Sequence, residues 1–411
     1  MKPAVVSVLT LALALFIFVP HIQAAPLETI AEGDFSYAVT DEDVSVTDYT
    51  GYEEDIVIPD LLDGSPVTAV ADNAFSARDG IRTIDLPDSI RHIGERAFTG
   101  CKGLTSILLP PKLESIGPWA FVGCDSLQSI SIPSGVTDIG DGALSACKAL
   151  QAILVSEDNA VFASLDGVLY NKRDHALLAY PTGKEGTGYE VPDGTETIGV
   201  RAFADCDNLE QVTLPESLLA LGASAFYGCD NLVRADLPDG LKTIGAAAFY
   251  WCMKLETCRI PVGVEVILPY AFSNCHAIKA FEVDEANTRF STPSGMLYDE
   301  ENAQVIAWPP ASDDTEVMLP DETKAIGHAA FMNCTTVETI TLPEGLQTIG
   351  QDAFRNCEAV KTVYVPPTVT DIGKTAFAVW DGAITLQAAA DSAAHAYALE
   401  YDLPFELVPA P

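Results

Sequence analysis

The residues of this chain best able to do chemistry, as nucleophiles, metal ligands or redox partners, are its ten cysteines and six histidines. Nine cysteines recur at set intervals: Cys101, Cys124, Cys147, Cys206, Cys229, Cys252, Cys275, Cys334 and Cys357, with gaps of 23, 23, 59, 23, 23, 23, 59 and 23. Disulfides are the first expectation for so many cysteines in an extracellular chain. The period argues otherwise. Equivalent residues in adjacent coils of a stack lie roughly 4.8 Å apart with parallel side chains, whereas a disulfide needs converging Cβ atoms about 3.8 Å apart. The expectation is a ladder of reduced, buried thiols acting as small hydrophobes. Cys258 falls in the slot that Ile107 and Ile340 occupy elsewhere and reads as a core substitution. A zinc site needs clustered ligands, and Cys275-His276 is the one close pair, so no metal or cofactor is expected.

His92, His175, His276, His328 and His395 are scattered, and no nucleophile elbow, HExxH, phosphate loop or dinucleotide fingerprint occurs. No catalytic residue can be named, which leaves an enzyme as the weakest reading. Acidic turns such as Glu157-Asp158-Asn159, Asp313-Asp314 and Asp41-Glu42-Asp43 could offer oxygens to calcium, but the D-x-D-x-D-G loop is missing. The plainer reading is solvated charge that keeps a β-stack from pairing edge to edge.

The elements that carry these residues follow from the repeat. The cysteine closes a motif I-G-x-x-A-F-x-x-C, as in Ile93-Gly94, Ala97-Phe98 and Cys101. After it comes L-x-x-I-x-L-P, as in residues 104–110, 127–133 and 209–215. Degenerate copies with Arg78 and Trp380 in the Cys place bring the total to eleven. Strand alternation points Leu104, Ile107 and Leu109 inward and Ser106 and Leu108 outward; Leu113, Ile116, Ala120, Phe121 and Cys124 complete the interior. One copy buries about seven side chains at roughly 2 kcal/mol each, against on the order of 25 kcal/mol for ordering its backbone. A lone coil cannot stand, so the coils must stack.

The gaps of 59 contain two related insertions, at about residues 157–188 and 285–316, offset by 128 and alternating short apolar runs with Gly, Asn and Asp. They read as β-hairpins set into the stack. The expected organisation is a leader at 1–24, an N-terminal β capping segment at 25–66, a solenoid at 67–382 and a cap of helix plus strand at 383–411. The leader reading rests on Lys2, the apolar run 4–19 and the small residues Ala24 and Ala25; the run is short of the roughly 20 residues of a spanning helix.

The repeat resembles that of the bacterial BspA-type leucine-rich-repeat surface proteins, over a span from about residue 34 to the C-terminus. Residues 104–124 and 232–252 follow its pattern, while Leu144 for Phe, Leu268 for Gly and Trp380 for Cys depart from it. The resemblance implies a leucine-rich-repeat solenoid used for protein or host-matrix recognition, without catalysis.

Fifty-nine acidic against 22 basic residues give a net charge of −37, which disfavours nucleic acid and anionic membranes. The expected function is a secreted or surface-associated recognition protein, monomeric, binding an extracellular protein or glycan, with adhesion as one such role; a self-associating envelope or matrix component is the alternative. Two candidate surfaces stand out. Tyr227 and Tyr250 put aromatic rings in the slot after the motif Phe that other coils fill with Thr99, Val122, Ser145 or Ala204, Trp251 follows directly and Tyr270 sits three ahead of Ser273 in the next coil; such rings are enriched at binding hot spots. Arg234, Asp236 and Arg259 form a compact charged group on outward strand positions that are otherwise mostly small and hydroxylated.

Overall fold

The computed structural model describes residues 29–39, 44–62, 64–379 and 383–409. The leader, the Asp41-Glu42-Asp43 turn and Trp380 lie outside them.

Each 23-residue period makes one coil with two short strands and a compact turn. The first strand carries the outward hydroxyls, as in Ser129–Ile132; the second holds the motif isoleucine, as in Ser115–Ile116. Both pair in parallel with the strands one period away: Ser129 lies opposite Ala152, and Ser115 opposite His92 and Asp138. The expected alternation is observed, with Leu104, Leu113 and Ile116 fully buried and Leu108 78% exposed. The motif phenylalanines stack down the centre, Phe203–Phe226–Phe249 at 4.9 and 5.2 Å between centroids.

Glycine follows the motif isoleucine because of packing between coils. A Cβ on Gly245 would lie 2.5 Å from the carbonyl carbon of Gly222, and one on Gly350 2.7 Å from that of Gly327. The cysteines are all unpaired and buried. Seven of them also donate to the motif-Phe carbonyl of the preceding coil: Cys124 Sγ reaches the Phe98 carbonyl at 3.3 Å and Cys252 Sγ the Phe226 carbonyl at 3.1 Å. That same Phe98 oxygen already accepts the Cys101 N–H, so the thiol of the next coil engages a buried second lone pair.

The insertions are three-stranded antiparallel meanders rather than simple hairpins: Phe162–Leu165, Val168–Asn171 and Ala176–Ala179, and then Phe290–Ser291, Leu297–Asp299 and Gln304–Ala307. The third strand of each is itself a rung, with Leu177 opposite Ile198 and Val305 opposite Ile326. Tyr180 and Trp308 supply its central ring, stacked on Phe203 and Phe331. Asn159 anchors the first meander, its amide donating to the Pro133 and Val136 carbonyls and accepting from the Val161 and Phe162 N–H groups. Asn287 repeats all of this 128 residues later. The second-strand ladder breaks ahead of each meander, at Asp138–Ile139 and Val266–Ile267, so three hydrogen-bonded stacks meet at two seams.

Both ends are covered. Thr29–Glu32, Phe35–Val39 and Val44–Tyr49 form an antiparallel sheet that continues in parallel into Ser65–Val70. At the other end the helix Ala393–Glu400, capped by Ser392 accepting from the His395 N–H, lays Tyr397 edge-on against Phe377 at 5.9 Å.

Candidate functional site

The turn that runs from the motif Phe past the Cys presents three columns along the stack, as at Tyr227, Gly228 and Asp230. The middle residue adopts positive φ so that its N–H reaches the next coil, as Gly228 does to the Tyr250 carbonyl at 2.8 Å. Most coils fill this slot with the residues that tolerate it: Gly100, Gly123 and Gly228, and Asn274, Asn333 and Asn356. Trp251 holds it at φ 67° and is 48% exposed. A bulky side chain in that conformation is strained, and such outliers point to function.

Around this column runs an open groove of about 610 Å³. Gly100, Gly123, Ala146 and Gly228 form its floor, Tyr227 and Trp251 close one end, and Asp125, Asp207 and Asp230 stand along the side that follows the cysteines. Tyr227 and Tyr250 stack at 5.5 Å and 6°, and Trp251 extends the stack at 6.4 Å. The Arg201 guanidinium lies 4.8 Å over the Tyr227 ring and pairs with Asp205 at 3.1 Å. Even so, burial, with Asp207 and Asp230 nearby, raises the Asp205 carboxyl above its ordinary value. Asp230 is raised by burial and by Asp207. Lys102 and Lys148 also line the groove, Lys148 pairing with Asp125 at 3.9 Å, so its four aspartates outnumber its two lysines and the lining keeps an acidic excess.

Of the four candidate aromatics, three come together. Tyr270 turns toward His328 at 5.6 Å, across the second seam. The charged trio lies elsewhere, on the first-strand sheet, where its charges satisfy one another: Arg234 Nε donates to Asp236 at 2.6 Å, and Arg259 binds Asp239 at 3.1 Å and also Asp284. The aspartates along the groove were not singled out from the sequence. The period carries the signal, since Asp125, Asp207 and Asp230 each follow a ladder cysteine.

Two asparagines that could have offered polar atoms outward are taken up by the fold. The Asn159 side chain of the acidic turn 157–159 makes four protein hydrogen bonds, leaving no lone pair for calcium. Asn333, in the glycosylation-like Asn333-Cys334-Thr335, donates to Asn274 and accepts from Asn356 at 3.0 Å. Burial holds Cys101, Cys206, Cys229, Cys252 and Cys334 protonated, Cys101 being pushed up to about 12, so these thiols are poor nucleophiles at neutral pH.

Among the described residues no helix is long and apolar enough to cross a membrane. No curated protein matches the sequence significantly. Solved structures similar to it include a leucine-rich repeat protein from Eubacterium ventriosum, 23% identical with a TM-score of 0.52, covering 84% of this chain and 93% of that one. A leucine-rich repeat protein from Bacteroides ovatus is 24% identical with a TM-score of 0.46 over 92% and 100% of the two chains. A leucine rich cell surface protein from Faecalibacterium prausnitzii is 21% identical with a TM-score of 0.44 over 88% and 89%. The repeat itself is decisive: the BspA type leucine rich repeat region matches residues 63–164, 184–294 and 312–383, well over half of the sequence, and the chain belongs to that family.

Proposed function

We propose that this protein is an exported or surface-associated recognition scaffold that captures a basic segment of a protein partner in the groove ending at Trp251. The observation that carries this reading is Trp251 itself, half exposed at a positive φ where the neighbouring coils use Gly228 and Asn274. The crowded carboxylates beside it favour a cationic partner, and Tyr and Trp faces accept Lys or Arg by cation–π contact. The solenoid acts as a monomeric, rigid, non-catalytic frame, and adhesion is the role such a frame would serve.

The test is binding of the mature chain to immobilised extracellular-matrix proteins and glycans, with an equally acidic protein as control. Replacing Tyr227 and Tyr250 by Ser and Trp251 by Gly should weaken binding by about 2 kcal/mol, some thirtyfold. Binding should also fall with added salt. Unchanged affinity in a folded triple variant would refute the groove and leave the Arg234–Asp236–Arg259 face as the better candidate. Concentration-dependent self-association of the mature chain would favour the matrix-component reading instead.

A further inference from the structure

The two seams are internal duplicates, and they differ most in the column ahead of the motif Phe. At the first, the positive-φ column ahead of the motif Phe reads Trp119, Gly142, Arg201; at the second, 128 residues on, it reads Ala247, Tyr270, Ala329. Large-small-large has become small-large-small. Trp119 and Arg201 flank Gly142, whose Cβ would lie 3.1 Å from the Trp119 ring and 3.4 Å from Arg201 Cδ, and the void lined by Gly140, Gly142 and Leu178 measures only about 20 Å³. At the second seam no side chain takes their place, and a cavity of about 100 Å³ opens. Leu268 and Ile306 form its walls, Phe272 and Trp308 its floor, and Tyr270 and Met332 its lip.

The central stack of rings is interrupted here. Phe249–Phe272 at 5.6 Å ends one run and Trp308–Phe331 at 5.8 Å begins the next, with no ring contact between Phe272 and Trp308 among the described residues. Trp308 is 3% exposed, yet its indole N–H has no hydrogen-bond partner. Such orphans are uncommon in folded proteins. At the mouth, His328 Nδ1 accepts the Gln351 N–H at 3.2 Å, which leaves the other ring nitrogen carrying the proton as a free donor.

We propose that the second-seam cavity receives one aromatic ring bearing a hydrogen-bonding group, a tyrosine-type side chain of a protein partner, between the Phe272 and Trp308 ends of the two stacks. An apolar cavity of about 150 Å³ accepts benzene, so the scale suits a single ring. Met332 adds a sulfur–aromatic contact. The site is separate from the Trp251 groove and its test does not depend on that reading.

The test uses the mature chain with ¹³C-methyl methionine, titrated with p-cresol and N-acetyltyrosinamide to roughly 10 mM. The Met332 methyl should shift and saturate with a Kd on the order of 1 mM, as expected for one small ring, while Met318, 69% exposed, stays put. Ala329→Arg should raise that Kd about tenfold or more, because Arg201 closes the first seam from the same position and the same backbone conformation, φ 54° against 56°. An unmoved Met332, a response to methyl glycosides but not to aromatic probes, or unaltered binding by folded Ala329→Arg would each overturn the proposal. If that variant proves unfolded by circular dichroism, Tyr270→Gly carries the first-seam residue at a positive φ that glycine accepts. It removes the lip, and an unchanged Kd there would equally overturn the site.

Discussion

Replacing Gly245 by Ala tests whether the motif glycine serves coil-to-coil approach or backbone conformation. Its φ is ordinary, and an added Cβ would sit 2.5 Å from the Gly222 carbonyl carbon and 2.7 Å from the Ala223 nitrogen. Relieving that overlap to about 3.5 Å means parting two coils by about 1 Å. The Gly245 N–H bond to the Leu221 carbonyl, 2.9 Å long, would then be lost, and the Phe226–Phe249 stack at 5.2 Å loosened. One or two backbone hydrogen bonds at about 1 kcal/mol each, with overpacking of about 1–3 kcal/mol, outweigh the roughly 0.4–1 kcal/mol that alanine gains through the unfolded chain. The net loss should be about 2–3 kcal/mol. Gly194 is the control: φ is 86° and nothing lies within 4 Å, so Gly194→Ala should cost only the conformational term of about 1 kcal/mol. Stacked repeats can unfold piecewise, so urea titration should be paired with hydrogen exchange at the amides of residues 243–250. Equal losses for the two variants, or unchanged exchange around residue 245 in Gly245→Ala, would refute the close-approach argument.

Ten thiols should be silent to a thiol reagent in the native protein and count as ten after denaturation; several native disulfides by intact mass would defeat the ladder. Because burial raises Cys101 from 9.0 to about 12 in the folded state, and raises Cys206, Cys229, Cys252 and Cys334 as well, the contribution of these thiols is complete below pH 9 and lost as pH rises toward 12. Thermal scans should accordingly show a falling melting temperature across that alkaline window. Asn159→Ala should destabilise the first meander by about 2–3 kcal/mol, since it strips partners from buried N–H and C=O groups. Asn287→Ala should do the same to the second, and exchange that stays slow at residues 162–179 or 290–307 would contradict these roles. Ending the chain after Val379 should cause aggregation, because the Phe377 ring and the last strand edge, at Thr362–Val365, lose their cover; a soluble monomeric truncation would show the cap to be dispensable.

The sequence by itself determined the solenoid. A 23-residue period of isoleucine, glycine, phenylalanine and cysteine has one economical solution, because a single coil cannot offset its ordering entropy and identical coils bury identical faces. Which side chains point inward, and that the cysteines form a ladder, follow from period and alternation alone. Register alone also placed Tyr227 above Tyr250. What only the tertiary structure decided are matters of distance and backbone sign. The cysteines are donors as well as hydrophobes, which depends on the Phe carbonyl of the preceding coil lying within reach. Trp251 is strained, a property of φ that no spacing reveals. Tyr270 stands apart from the aromatic stack because it lies two residues ahead of Phe272, whereas Tyr227 and Tyr250 follow their Phe; that the ladder stops at its coil, a break in pairing between strands 38 residues apart, has no local signature in the chain. The two insertions were legible as related, but that each ends in a rung of the solenoid was not. Strand pairing is a contact between segments distant in sequence, and only folding brings them together.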